Sequence, residues 1–328
     1  MLSHLRRREF ITLLGGAAAW PHGARGQQPA MPVIGFLHDA ELSLFIDSVR
    51  AFHQGLNQSG FAEGRNVTIE YRWAEGQNDR LPAMAADLVR RRVAVIVTSG
   101  SRPAILAAKA ATTTIPIVFQ TAGDPVGQGY VVSLNRPGGN LTGVTSLNTE
   151  IVPKRLEMMH ELVPTATTLA LLVHPTGLEI QSRGAQAAAR TLGLQLHVLQ
   201  ASTKRDFDSV FTSLPQVRAR ALLIGNNPVF FDGSEQLAAL ALRHGVPTIS
   251  PYREFAAVGG LMSYGTDQMD QSRMVGAYTG RILKGEQPAD LPVQQATKYE
   301  FIINLKTATA LGLTVPRILL ARADILIE

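Results

Sequence analysis

Polar side chains follow a buried apolar run in the first third of the chain. Ser99, Gly100 and Ser101 follow the run 93–97, at the point where a strand gives way to a helix. Free backbone N–H groups at such a point bind a carboxylate or another anion, and Gly100 allows close approach of the ligand. The two hydroxyls add hydrogen bonds. A capped helix with nothing bound explains the same residues equally well.

A carboxylate follows the next apolar run, at residues 115–120. Asp124 lies between a glycine and a proline at this strand end, where it can pair with the ammonium group of a ligand. Thr121 beside it offers a hydroxyl. The alternative for Asp124 is an Asx turn or a helix cap, for which the Asp-Pro sequence is equally suited.

The second half of the chain has corresponding polar and aromatic strand ends. Asn226 and Asn227 follow one strand, and Asn227 precedes a proline, which biases it to an extended conformation with its amide free to face a cleft. Tyr252 and Tyr264 can stack on an aromatic or otherwise planar ligand. Packing within the protein is the alternative use of both tyrosines.

Ser43 lies in the loop after the first predicted strand, at residues 33–37. Its hydroxyl either hydrogen-bonds to a ligand or caps the helix predicted over residues 43–58. All the residues singled out so far suit recognition of a small charged or polar molecule.

Sequence patterns typical of catalysis are missing. No serine occupies the centre of a G-x-S-x-G sequence, no G-x-G-x-x-G follows the first strand, and no Walker-type loop is present. The eight histidines are scattered singly and the chain has no cysteine, so no spacing supports a metal site. We therefore expect no enzyme activity, no cofactor and no metal.

The elements that must position these side chains alternate along the chain. From Pro32 onward, short β-branched runs alternate with helical patterns, which is typical of a doubly wound α/β architecture. The run 93–97 is continuously apolar, as expected of a parallel strand buried on both faces. After a Pro/Gly-rich stretch at 135–140, the same alternation of strand and helix patterns starts again at Leu169. The pattern predicts two similar parallel-sheet lobes, with the first crossing between them just after Thr145.

The first 26 residues have the features of a cleavable export signal. Arg7 and Arg8 precede an apolar stretch at residues 11–20, an arrangement that resembles a bacterial twin-arginine signal. A segment with small residues follows, as is typical of a cleavage site, and it predicts cleavage near Gly26. The destination predicted by this segment is the periplasm.

Removal of that segment leaves little net charge. The whole chain carries +5, and residues 1–26 hold four arginines against one glutamate, so about +2 remains. This charge is too small for binding to nucleic acid. Without cysteine the protein has neither disulfides nor the attachment point of a lipoprotein, and no later run is long enough to span a membrane.

Several segments resemble the periplasmic solute-binding proteins of ABC importers. The resemblance is carried by residues 7–21, 32–37, 124–126, 134–144 and 304–308. The most similar branch includes tryptophan- and tyrosine-binding members with the type I periplasmic-binding fold.

The resemblance implies an N-terminal lobe of residues 27–146 plus 261–286 and a C-terminal lobe of residues 147–260 plus 287–328. A small organic solute, by default an amino acid and in particular an aromatic one, would bind between the lobes, outside the carboxyl ends of the strands. The protein, a monomer, would deliver this solute to an ABC permease in the inner membrane. An exported α/β enzyme and a ligand-sensing module for a membrane receptor stay open as alternatives.

Overall fold

Runs of β-branched and leucine residues form the strands of two sheets. The computed structural model describes residues 31–99 and 102–328. The strands are β1 (Val33–His38), β2 (Thr68–Trp73), β3 (Val95–Thr98), β4 (Ile117–Thr121), β5 (Leu141–Thr145), β6 (Thr168–Val173), β7 (Gln195–Gln200), β8 (Leu222–Ile224), β9 (Thr248–Ser250), β10 (Met262–Thr266), β11 (Gln294–Gln295), β12 (Tyr299–Asn304) and β13 (Ile325–Ile327). Strands β3, β4 and β6 are buried along their whole length, because helices cover both faces of each sheet.

The two sheets repeat one topology. Their strand orders are β11-β5-β4-β3-β1-β2 and β13-β12-β10-β9-β8-β6-β7. Among the described strands, only β10 and β12 pair antiparallel. The first five strands of each half are arranged alike, so that the chain starts in the middle of a sheet and winds outward in both directions. The predicted α/β fold with two doubly wound parallel-sheet lobes is therefore confirmed.

Helices connect the strands and cover the sheets. They are α1 (Ile46–Gln58), α2 (Leu81–Arg90), α3 (Arg102–Ala111), α4 (Val152–Leu162), α5 (Leu178–Thr191), α6 (Phe207–Ser213), α7 (Pro228–Asp232), α8 (Ser234–Arg243), α9 (Arg253–Ala257), α10 (Gln268–Leu283), α11 (Leu305–Ala310) and α12 (Arg317–Arg322). Each sheet has one hydrophobic cluster on either face. Below, the N-terminal lobe is the first sheet with its helices, and the C-terminal lobe is the second.

Strand pairing divides the tail of the chain differently from the expected lobe boundaries. We expected residues 261–286 in the N-terminal lobe, but β10 pairs with β9 and β12 and so belongs to the second sheet. We expected residues 287–328 in the C-terminal lobe, but β11 pairs with β5 in the first sheet. Helix α10, between them, does pack in the N-terminal lobe. The sequence pattern identifies β10 as a strand, but it does not say which sheet supplies its hydrogen bonds.

Two glycines let α10 join the N-terminal lobe. A Cβ atom on Gly55 of α1 would lie 1.8 Å from the backbone oxygen of Arg273 in α10. A Cβ on Gly276 of α10 would lie 2.0 Å from the backbone oxygen of Phe52 in α1. The backbones of the two helices are therefore in direct contact where they cross. Only glycine allows so close an approach.

The predicted export signal, residues 1–26, lies outside the described part of the chain and stays a prediction. Among the helices that the structure describes, none combines the length and the apolar character needed to cross a bilayer.

Candidate functional site

The carboxyl ends of strands from both sheets face one cavity, which we call the main cavity. It contains about 1190 Å³ of empty space and is open to solvent. Asp39 after β1 and Thr121 at the end of β4 line it from the N-terminal lobe. His174 after β6, with Asn226 and Asn227 after β8, line it from the C-terminal lobe. The cavity thus lies at the edge where open parallel sheets bind ligands.

A second space adjoins the main cavity beside the segments that cross between the lobes. This hinge pocket contains about 480 Å³ and is lined by Phe45, Gln120, Thr121, Ala122, Ser146, Asn148, Asn226, Pro228, Phe231, Tyr252, Thr266, Gln268 and Gln271. Amides, hydroxyls and aromatic rings dominate this lining, and none of these side chains is charged. The rings of Phe45 and Phe231 meet across the cleft with their centroids 5.4 Å apart.

Asp39 lines the main cavity and has one carboxylate oxygen without a hydrogen-bond donor in the described part of the chain. Its side chain is 13% exposed, and its Oδ1 atom is buried with no hydrogen-bond donor among the described residues. Nδ1 of His38 is 3.2 Å away, but that nitrogen accepts the N–H of Ala40 at 2.9 Å. An imidazole nitrogen that accepts a hydrogen bond has no proton to donate to Asp39. Burial of an unpaired carboxylate is costly, so a cationic or N–H donor from a ligand would relieve it.

The outer part of the main cavity is acidic. Besides Asp39, its lining includes Glu41, Glu75 and Asp232, against the guanidinium of Arg102. Two of these acids already have partners in the protein, because Asp232 contacts Lys204 at 2.7 Å and Glu75 contacts Arg80 at 3.2 Å. Asp39 is therefore the carboxylate best placed to receive a charge from outside.

Backbone groups of Asn226 and Asn227 on the C-terminal wall are hydrogen-bonded to neighbouring side chains. Gln181 accepts the backbone N–H of Asn226 at 2.6 Å and donates to the carbonyl of the same residue at 2.9 Å. The hydroxyl of Tyr252 accepts the N–H of Asn227 at 2.8 Å and donates to its carbonyl at 3.0 Å. These bonds hold the backbone after β8 in a fixed conformation.

The side chain of Asn227 has a structural role on this wall. Its Oδ1 accepts the N–H of Val229 at 2.9 Å and so caps α7, which has Pro228 at its first position. His174 similarly bonds the hydroxyl of Thr176 at 2.8 Å. Burial lowers the pKa of His174, which favours its neutral form at neutral pH.

A buried arginine connects the crossing segments near the hinge pocket. Arg155 of α4 is fully buried and donates to the carbonyls of Tyr264 and Asn148, each at 2.8 Å. The side chain of Asn148 in turn donates to the hydroxyl of Thr266 at 3.0 Å. Burial lowers the pKa of Arg155 to about 10, so the guanidinium keeps its charge at neutral pH. One side chain therefore holds two of the crossings together.

Four of the predicted site residues line these spaces. Thr121 and Asn226 line both the main cavity and the hinge pocket, Asn227 lines the main cavity, and Tyr252 lines the hinge pocket. Tyr252 does not present its face for stacking on a ligand, since its hydroxyl is bonded to backbone and its ring packs edge-on against Phe231 at 5.2 Å.

Four others have different surroundings from those we expected. Ser43 is exposed, borders none of the cleft spaces described above and does not cap α1, which begins after Phe45. Ser99 is buried and donates to Gln120 at 2.9 Å. Tyr264 stacks on Tyr299 at 5.9 Å, against the core of the C-terminal lobe.

Asp124 is the fourth predicted site residue whose surroundings differ from those we expected. It lines a separate outer cavity beside the main one, and its Oδ1 accepts the N–H of Val126 at 2.9 Å, which is the Asx turn that we had weighed. The last two predicted site residues, Gly100 and Ser101, lie outside the described residues and stay predictions.

Sequence reasoning missed Asp39, Gln120 and Gln181. Asp39 follows β1 directly, so the strand-end rule that selected Asp124 would have selected it too. Gln120 is the penultimate residue of a buried strand, where a polar side chain is itself a signal. Gln181 lies inside α5, and nothing in the local pattern links it to Asn226. Within the described residues, no cluster of histidine and acidic side chains is suited to hold a metal ion.

Two α/β lobes with matching topology, joined by several crossings around a shared cleft, define a ligand-binding protein of the type I periplasmic-binding class. The family model described as ABC transporter substrate binding protein matches residues 37–327. The chain therefore belongs to this family. Its members bind substrates and are not enzymes, which confirms both the resemblance and the expectation of no enzyme activity.

The chain is also similar to individual characterised proteins. A tyrosine-binding protein of Clostridioides difficile (strain R20291) is 24% identical over 266 residues, which cover 80% of this chain and 76% of the relative. The crystal structure of an ABC domain from Streptococcus pneumonia in complex with L-Trp is 25% identical, with a TM-score of 0.82 over 90% of this chain and 99% of that one.

Two further solved structures share the fold. A conserved domain protein from Vibrio cholerae is 26% identical, with a TM-score of 0.81 and the same coverage of 90% and 99%. The ligand-free, open structure of a substrate-binding protein from Clostridium difficile is 21% identical, with a TM-score of 0.66 over 90% and 99% of the two chains.

Proposed function

We propose that this protein is the periplasmic substrate-binding component of an ABC importer, which captures an amino acid in the main cavity and delivers it to an inner-membrane permease. The observation that carries the proposal is the unmatched carboxylate of Asp39 on one wall, opposite a prearranged polar wall on the other. Relatives named for tyrosine binding or solved with L-Trp support an aromatic amino acid as the ligand.

The cavity chemistry suits a zwitterion with a planar side chain. Asp39, rather than Asp124, is the proposed partner of the ligand ammonium, because Asp39 lines the main cavity and has an oxygen without a donor among the described residues, whereas Asp124 already accepts the N–H of Val126. Arg102, at the start of α3, lines the main cavity and favours the ligand carboxylate on that side, and the predicted contacts Gly100 and Ser101 precede it in the sequence. The side chain extends into the hinge pocket, whose aromatic rings provide apolar contact.

The experiment that tests this function is native mass spectrometry of the protein purified from its own periplasm. A retained amino acid, released unchanged on denaturation, is the expected result. Thermal unfolding with and without that molecule then measures its affinity, since a ligand that binds only the folded state raises Tm. Conversion of the ligand into a product would instead establish the exported enzyme.

Delivery to a permease needs a separate test. With the permease reconstituted in vesicles, the liganded protein should increase both ATP hydrolysis and uptake of the amino acid. A liganded protein that stimulates no ABC permease but changes the output of a membrane receptor would establish the sensing module. Either result leaves the binding site itself in place.

The export proposal depends on the paired arginines. Replacement of Arg7 and Arg8 by lysine should retain the protein in the cytoplasm, because twin-arginine signals are recognised through that pair. Cell fractionation, with the mass of the periplasmic form, checks this result and the predicted cleavage near Gly26. Unchanged export of the double variant would exclude the twin-arginine route.

A further inference from the structure

A bulky residue has a left-handed backbone conformation in the first crossing between the lobes. Leu147, with a φ of 49°, lies between β5 of the N-terminal lobe and α4 of the C-terminal lobe. This conformation brings Cβ close to the following carbonyl oxygen and costs free energy in every residue that has a Cβ atom. For a large side chain it is a genuine outlier. Backbone strain is therefore located where the chain passes from one lobe to the other.

Local turns account for the other residues of this kind. Among the described residues other than glycine, Glu75, Arg92 and Arg218 also have a positive φ. Arg92 and Arg218 each end a helical turn, and the N–H that follows each of them bonds back into that turn, which is a common helix end. Glu75 and Gly76 are the two central residues of a tight turn that requires a positive φ at both. Leu147 belongs to neither kind of turn.

The N-terminal lobe holds the backbone on both sides of Leu147. The N–H of Ser146 donates to the carbonyl of Thr121 at 3.0 Å, and the N–H of Thr149 donates to the carbonyl of Ala122 at 3.0 Å. Thr121 and Ala122 follow one another in the wall of the main cavity. The strained turn is therefore fastened directly to the ligand cleft.

The C-terminal lobe holds the same turn through its side chains. Arg155 of α4, which is fully buried, donates from Nη2 to the carbonyl of Asn148 at 2.8 Å. Tyr299 of β12 donates from its hydroxyl to the carbonyl of Ser146 at 3.1 Å. The carbonyls of both neighbours of Leu147 are thus bonded from this lobe. Strained residues persist where the surrounding structure over-determines them, and here the bonds come from both lobes.

Rotation of one lobe against the other would move these two sets of bonds apart. Leu147 lies between them, so its dihedral angles must change or some of the bonds must break. In the structure the lobes touch inside the cleft, where the rings of Phe45 and Phe231 have their centroids 5.4 Å apart. The strain at Leu147 is a cost of this arrangement. It therefore shifts the population toward arrangements in which the lobes are further apart and Leu147 relaxes.

We propose that Leu147 is a positioning residue of the hinge, whose left-handed conformation sets the ratio between the observed lobe arrangement and more open ones. Affinity for any solute that the observed arrangement binds follows this ratio, because apparent affinity falls with the fraction of protein that is competent to bind. The proposal goes beyond the proposed function, since it concerns the lobes themselves and not the identity of the ligand.

The test measures how far apart the two lobes are. The chain has no cysteine, so Leu106→Cys in α3 and Arg190→Cys in α5 introduce the only thiols for spin labels. Both positions are exposed on helices, one in each lobe. Double electron–electron resonance on the ligand-free full chain gives the distribution of distances between the labels. This doubly labelled protein is the parent of every variant.

We expect Leu147→Gly to raise the ratio of the observed arrangement to more open ones by about tenfold, because glycine adopts a positive φ without the Cβ cost. Leu147→Asn should shift the ratio in the same direction, since asparagine tolerates this conformation. The matched control is Leu147→Ala, which removes the side chain but keeps Cβ, and it should leave the ratio as in the parent. Arg218→Gly, a left-handed position outside the crossings, should also leave it unchanged.

Three results would overturn the proposal. The first is the same distance distribution in the parent and in Leu147→Gly. The second is an equal shift in Leu147→Ala, which would assign the effect to side-chain packing. The third is an equal shift in Arg218→Gly. Leu147→Asn replaces Leu147→Gly if that variant does not fold. Because no ligand is present in the measurement, its failure is distinguished from failure of the proposed amino-acid binding.

Discussion

The two walls of the cleft differ in how their polar groups are satisfied. On the C-terminal wall, Gln181 and Tyr252 bond the backbone of Asn226 and Asn227 at both the N–H and the carbonyl. On the N-terminal wall, Oδ1 of Asp39 and Oε1 of Gln128 are buried without donors from the described residues. The backbone of one wall is held by its own side chains, whereas the other wall has buried acceptors that are not used within the described part of the protein.

This difference indicates how the lobes divide the work of binding. A prearranged wall loses little entropy when a ligand arrives, so it favours shape and orientation. A wall with unmatched polar groups gains most from a ligand that supplies them, so it determines which chemical groups are accepted. We therefore propose that the N-terminal lobe selects the ligand and that the C-terminal lobe provides a prearranged surface for it.

The largest effect is expected in the packing of the N-terminal lobe. Gly276→Ala places a methyl group 2.0 Å from the backbone of α1, so α1 and α10 must separate, and we expect a loss of roughly 3 kcal/mol in the free energy of unfolding. The matched control is Gly184→Ala in α5 of the C-terminal lobe. Its new Cβ meets nothing closer than 3.8 Å, so the free energy of unfolding should rise by about 0.5–1 kcal/mol. Urea unfolding measures both, and similar values for the two variants would contradict the close helix crossing.

Asp39→Asn tests the unmatched wall directly. Affinity for an amino acid should fall by about 2 kcal/mol, or roughly 30-fold, because the ligand ammonium loses a buried charged partner. Stability of the ligand-free protein should not fall, since the carboxylate has an oxygen without a donor. Asp232→Asn is the control, because that acid already pairs with Lys204. Calorimetry measures both affinities. Equal losses of amino-acid affinity in the two variants would show that Asp39 is not part of the binding site.

Two tyrosines, one in each lobe, test whether hydroxyls with and without partners differ in their contribution to stability. The hydroxyl of Tyr252 makes two hydrogen bonds to Asn227, so Tyr252→Phe should cost about 1 kcal/mol of unfolding free energy. The hydroxyl of Tyr130 is buried without a partner among the described residues, so Tyr130→Phe should be close to neutral. Denaturant unfolding at pH 7 measures the change in unfolding free energy of both variants. An equal cost for the two would contradict the difference between a hydroxyl with partners and one without.

Alkaline pH provides a further measurement on Tyr130. Burial raises the pKa of this tyrosine from 10.0 to about 12. Between these values the unfolded chain loses the phenol proton while the folded protein keeps it, so stability falls as pH rises. Tyr130→Phe should therefore reduce the loss of stability between pH 10 and 12. An unchanged pH dependence would mean that Tyr130 ionises normally in the folded state.

The smallest effect is expected at Asp124. Asp124→Asn keeps the oxygen that accepts the N–H of Val126, so both stability and amino-acid affinity should stay within about 0.5 kcal/mol of the parent. Calorimetry and thermal unfolding measure the two quantities. A tenfold loss of affinity would restore Asp124 as the partner of the ammonium.

Most of the fold was predictable because apolar runs and helical periods are local properties. The buried run at β3 and the renewed rhythm from β6 onward identified two doubly wound lobes. The lobe assignment of β10 and β11 was not predictable, because it depends on which distant strand supplies the hydrogen bonds.

The candidate site was predictable in position more than in detail. The strand-end rule selected Thr121, Asn226 and Asn227, which line the main cavity. It could not foresee that Tyr264 would stack on Tyr299, a residue 35 positions later in the chain. Polar side chains have several equivalent uses, and only their neighbours in space decide between a ligand and an internal partner.

The sequence by itself determined the class of fold, the family and the edge of the sheets at which to look, because periodicity and motifs are written in neighbouring residues. Only the tertiary structure decided which polar groups there are already satisfied. The side chain of Asp39 is left with an unmatched oxygen because His38 Nδ1 is used by Ala40, whereas the backbone of Asn226 is matched because Gln181 reaches it from 45 residues away. Hydrogen-bond satisfaction is a property of three-dimensional neighbours, and it separates a binding group from a structural one.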